Sequence, residues 1–76
     1  MDINVTVARE VLGMYGDPLG WMPGSFGEAL ITTFMKADAI NFAKLSVIYP
    51  DYGSMISLVK NHENGIDELR ELVSIK

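Results

Sequence analysis

Two prolines and three glycines fall within the stretch Asp17-Pro18-Leu19-Gly20-Trp21-Met22-Pro23-Gly24-Ser25-Phe26-Gly27-Glu28, and neither a helix nor a strand runs through such a sequence. Whatever precedes it must finish near Gly16, and whatever follows must start afresh. Ser25 and Glu28 supply the restart. Their spacing is that of a capping box, in which the hydroxyl accepts a backbone N–H of the first turn while the carboxylate returns to the cap. It predicts a second helix beginning at Phe26. The only tryptophan of the chain, Trp21, lies inside the loop.

On either side of this break the apolar residues keep helical spacing. Val5, Ala8, Val11, Leu12 and Tyr15 share one face, Arg9 and Glu10 lie on the other, and Gly13 and Gly16 stand near the end, which predicts a first helix over about residues 3–15. Beyond Ser25, one face carries Phe26, Leu30, Thr33 or Phe34, and Ala37, widened by Ala29 and Ile31, so the second helix runs toward Lys36. Asp38 is an N-cap for a third helix carrying Ile40, Phe42, Leu45, Ile48 and Tyr49, with Asn41 one turn on; a single long bent helix is the other reading. Pro50 ends that helix and suits the first turn of a fourth, with Tyr52, Met55 or Ile56, and Val59 inward and Gly53 as a mild weakness. Asn61-His62-Glu63-Asn64-Gly65 reads as a turn. Asn64 then caps a last helix with Ile66, Leu69, Leu72 and Val73 inward and Asp67, Glu68 and Glu71 in water. Asn64-Gly65 would also suit a hairpin between Ser57 and Ile75. The expected architecture is all-α: a compact bundle of four or five short helices, one domain over residues 1–76.

Nearly half of the 76 residues, 49%, are apolar, whereas a folded monomer this small hides only about 60% of the surface of its unfolded chain. The surplus is expected to line a self-association face, a partner site or a pocket. Five methionines, Met1, Met14, Met22, Met35 and Met55, share no single stripe and read as gap-fillers. With no cysteine, stability rests on packing. The first residues lack a basic segment followed by an apolar run, and Ala29 to Met35 falls far short of the ~20 residues of a bilayer span. A cytoplasmic protein is expected.

The formal charge of −4 and the scattered placing of Arg9, Lys36, Lys44, Lys60, Arg70 and Lys76 argue against direct nucleic-acid binding, which needs converging cations. Asn41 and Lys44 alone make a poor recognition helix. His62 is the single imidazole, and its turn offers no second group for acid–base or metal chemistry. Serines 25, 46, 54, 57 and 74 lack a nucleophile elbow. Gly24-Ser25-Phe26-Gly27 starts a helix, but Glu28 would repel an anion there. No catalytic, cofactor-binding or metal-binding residue is therefore expected, and the chain reads as something other than an enzyme.

The residues Pro23-Gly24-Ser25-Phe26, Ala29-Leu30, Phe34, Ala37-Asp38, Asn41, Lys44-Leu45 and Tyr49-Pro50, about the central third of the chain, form a pattern that resembles small uncharacterised helical proteins of phages, prophages and other mobile elements. The resemblance implies a mobile-element setting and a protein that blocks a host defence enzyme; it implies no active site. From the residues themselves, the candidate contact surface is Leu19, Trp21 and Met22, aromatic and thioether side chains of the kind that anchor interfaces. Trp21 has a second reading as a plug over the ends of helices one and two. Asp67, Glu68 and Glu71 form an acidic stripe suited to the basic groove of a nucleic-acid-processing complex. The competing reading is a structural homo-oligomer.

Overall fold

Five helices follow one another through residues 3–75, the part of the chain that the computed structural model describes: α1 (Ile3–Met14), α2 (Ser25–Lys36), α3 (Ala39–Ile48), α4 (Pro50–Asn61) and α5 (Gly65–Ile75). Met1 and Lys76 lie outside these residues. The bundle is all-α, and the Ser57–Ile75 hairpin is not formed, since α4 and α5 occupy that segment. Helix α1 is the axis. It packs on α2, α4 and α5, and its apolar stripe is accordingly wide, burying Val5, Val7, Ala8, Val11 and Leu12. Leu30, Ile31 and Phe34 of α2, Ile56 of α4, and Leu69 and Val73 of α5 close the core around it.

The helix boundaries follow local chemistry, with one exception. Helix α1 ends in a Schellman turn: the Gly16 N–H donates to the Gly13 carbonyl and the Asp17 N–H to the Leu12 carbonyl, both at 3.0 Å, with Gly16 at φ 78°, where glycine is unstrained. Asp38 caps α3 as expected, its Oδ1 accepting the Asn41 N–H at 2.8 Å, and the extended pair Ala37 and Asp38 separates α2 from α3. Pro50 is the first residue of α4. The exception is the capping box. Gly24 is the N-cap of α2, no side chain caps it, and the Glu28 N–H donates to the Gly24 carbonyl at 2.9 Å. Because the helix starts at Ser25 rather than Phe26, the hydroxyl sits inside the first turn instead of ahead of it.

Two further expectations are corrected by the packing. Phe26, expected in the core with Phe34, is 65% exposed. The buried stripe of α2 is Gly27, Leu30, Ile31 and Phe34; Phe26 stands at its edge in the first turn, tilted against the Tyr49 ring at 6.2 Å. Helix α3 packs on α4 at the margin of the bundle, so only one side of it is covered. Phe42, Leu45 and Tyr49 lean on the core, Phe42 edge-on to Phe34 at 5.2 Å, while Ile40 and Ile48 face water together with Val47. Gly53 of α4 is buried where a Cβ would run into the Ser46 side chain of α3.

The solvent-accessible surface, 4749 Å², is close to the ~4600 Å² expected of a folded monomer of this mass. The apolar surplus is therefore not spread as a general failure to close; it is concentrated on the 15–26 segment and on α3.

Glu10, read from sequence as a solvent residue, ties α1 to α4 by accepting a 2.8 Å hydrogen bond from the Tyr52 hydroxyl. Burial, and then the bond and charge of Glu10, push the Tyr52 phenol from its ordinary 10.0 up to about 12. A raised phenol favours the neutral form in the folded state, so its contribution is whole below pH 10.0 and is lost as pH rises toward about 12. Tyr52→Phe, with no phenol to ionise, should show a shallower fall of melting temperature across that window. A fall as steep as in the parent would show that Tyr52 does not carry the effect.

Candidate protein-binding surface

The loop between α1 and α2 is fixed by backbone contact before any side chain is considered. Trp21 donates its N–H to the Arg9 carbonyl at 2.9 Å, and the Gly20 N–H donates to the Asp17 carbonyl at 3.0 Å. Gly13 lies so close beneath the Trp21 carbonyl, and Gly20 so close above the Gly13 backbone, that a Cβ on either would overlap main-chain atoms. Arg9 completes the clamp, donating from Nη1 to the Leu19 carbonyl at 3.0 Å and lying 5.1 Å from the centre of the Trp21 ring, a cation–π distance.

This geometry does not seat the indole as a plug. The plug over the end of α1 is the loop backbone at Gly20 and Trp21; the indole itself lies to the side, under Arg9, 43% exposed. Leu19 at 40% and Met22 at 79% stand out with it. Of the other methionines, Met14, Met35 and Met55 pack against the core as gap-fillers.

Asp67, Glu68 and Glu71 are all exposed on α5, but the structure joins only the first of them to the loop. Arg70 donates from Nε to Asp17 Oδ2 at 2.6 Å and from Nη1 to Asp67 Oδ1 at 3.4 Å. Asp17 in turn accepts the Leu19 N–H at 2.9 Å, so a chain of contacts runs from α5 to the apolar tip. The Leu19 N–H holds the Asp17 carboxyl below its ordinary range; burial opposes it, and the hydrogen bond and charge of Arg70 add to the lowering. Its side chain is only 4% exposed, covered shallowly by the loop and Arg70 rather than sunk in the core. Glu68 lies at the other end, beside Asn61, His62, Glu63 and Asn64 in a shallow polar hollow. Glu71 forms no ion pair among the described residues.

Arg9, Asp17 and Arg70, which hold the loop in place, are not singled out by the sequence. Asp17 and Arg70 are 53 positions apart, beyond any local pattern; the Asp-x-Leu turn at residue 17 was the one signal available.

Among the described residues, no group of three or more His, Cys, Asp and Glu side chains is placed to hold a metal ion. Nor, among the described residues, is any helix long and apolar enough to cross a membrane. The chain matches no protein-family model, no curated protein and no solved structure.

Proposed function

We propose that this chain is a non-catalytic module that binds another protein through Leu19, Trp21 and Met22, with Asp67, Glu68 and Glu71 providing an acidic flank. The observation that supports it is the apolar tip presented on a backbone already locked to α1. A pre-ordered aromatic and thioether surface pays little conformational entropy on docking, which is the property of interface anchors. The acidic face of α5, which reaches the loop through Asp67, Arg70 and Asp17, favours a partner with a basic rim, such as a nucleic-acid-processing complex. With the resemblance of the 23–50 segment to mobile-element proteins, inhibition of a host defence complex such as a CRISPR effector is the concrete form of this reading.

The test is capture of partners from host cells on the immobilised protein, with the bound protein identified and its affinity then measured. Trp21→Ala with Met22→Ala should weaken that affinity at least about tenfold, the scale of a lost anchor. Charge reversal of Asp67, Glu68 and Glu71 together should weaken it more at low salt than at high. Affinity indifferent to both sets removes this surface from the reading.

A structural homo-oligomer is the second reading, favoured by Ile40 and Val47, 70% and 83% exposed on the outer side of α3. Sedimentation at micromolar concentration separates them: a strict monomer argues against assembly.

A further inference from the structure

Six residues of the chain are cationic, and three of them are engaged inside the fold. Arg9 lies over Trp21, Lys60 over the Phe42 ring at 5.0 Å, and Arg70 between Asp17 and Asp67. Lys36 and Lys44 form neither an ion pair nor a ring contact among the described residues, and both line the same groove. It lies between the second half of α2 and the body of α3, has a volume of about 440 Å³, and is lined also by Thr33, Ala37, Leu45 and Ile48. Lys36 occupies the last turn of α2, where a cation complements the helix dipole. That accounts for one charge and leaves Lys44, the only charged residue of α3, without a role in the fold.

The chemistry of the groove narrows what it takes. Two lysines at the rim of an apolar trough are too few for a nucleic-acid backbone, and the net charge of −4 opposes one. A trough walled by two helices matches a third helix laid into it, with apolar anchors at i, i+3 or i+4, and i+7. Its lining takes Thr33 and Lys36 from α2 and runs from Asn41 to Ile48 on α3, which offers about 10 Å of contact along α3 at ~1.5 Å per residue. We propose that the α2/α3 groove docks an amphipathic helix of another protein whose apolar stripe is flanked by carboxylates, which pair with Lys36 and Lys44. Ile48, 69% exposed, is the apolar anchor on the α3 side. This surface shares no residue with the Trp21 loop or with the acidic face of α5, so one chain presents two docking surfaces of opposite charge.

The probe is a fluorescently labelled synthetic peptide of about 14 residues, roughly four helical turns, with leucines at the anchor positions and glutamates flanking them. Its counterpart carries lysine in place of every glutamate. Fluorescence anisotropy should show the acidic peptide binding, more weakly as salt rises, and the basic peptide failing to bind. Lys36→Glu with Lys44→Glu should weaken the acidic peptide about tenfold or more, and Ile48→Asp should abolish binding. All three positions are exposed, and circular dichroism melts matching the parent would place the loss in the groove rather than in the fold. Trp21→Ala with Met22→Ala should leave peptide binding unchanged. Absence of acidic-peptide binding to the intact protein, equal binding of both peptides, or indifference to the lysine reversals overturns the proposal. So does a concentration-dependent dimer in sedimentation that Ile48→Asp dissociates, since the occupant would then be a second copy of this chain.

Discussion

Gly13→Ala is expected to cost about 2 kcal/mol or more of stability, even though alanine is the better helix former by about 1 kcal/mol. A methyl at residue 13 would occupy the place of the Trp21 carbonyl. Overfilling a packed site costs about 1–3 kcal/mol when side chains can yield. Here the obstacle is main chain, held by the Trp21 N–H bond to Arg9 and by Gly20 against Gly13, so the loop must lift for the methyl to fit. At roughly 4–8 °C per kcal/mol for a domain of this size, the melting temperature should drop by about 10 °C or more. Gly24→Ser is the matched control. A Cβ at residue 24 meets nothing within 4 Å, and a hydroxyl there occupies the N-cap of α2, so that variant should melt at or above the parent. Equal melting of Gly13→Ala and the parent would show that the loop does not lie on α1 as described.

Phe34→Ala should be the more damaging substitution. The ring is completely buried, the largest such side chain in the core, and it makes an edge contact with Phe42, one of the α3 side chains that lean on the core. Truncating a buried phenylalanine costs about 3–5 kcal/mol. A chain of 76 residues has total stability of the same order, about 4–11 kcal/mol at the usual value per residue. Urea unfolding should therefore show a midpoint reduced by about a quarter or more, or no cooperative transition. A loss below about 1 kcal/mol would place residue 34 outside the core.

How much of this was legible beforehand depends on how far apart the interacting groups lie. Asp38 and Pro50 mark helix boundaries through chemistry confined to one turn, and with the spacing of residues such as Leu30, Leu69 and Val73 they point to four or five segments; that α2 and α3 are separate rather than one bent helix is a finding of the structure. Ser25 shows the limit of such local signals: a valid capping spacing was bypassed because the helix began one residue earlier, at a glycine N-cap. The orientation of Ile40 and Ile48 was hidden for another reason. Helix α3 is apolar nearly all round, so periodicity could not tell which side faces the bundle. At the candidate site, the loop and its apolar tip could be read from composition. Its clamp could not, because Arg9, Gly13 and Arg70 act on it across the fold and two of the contacts involve only backbone.

The lone indole, parked beneath a guanidinium outside the core, gives the molecule a built-in optical reporter of one place. Its emission follows the posture of the 17–24 segment, whereas far-ultraviolet ellipticity follows the helices, so the two signals can part company. Detachment of that segment from α1 can thus be watched in an otherwise intact protein, without a dye and without a second fluorophore of the same kind to unmix.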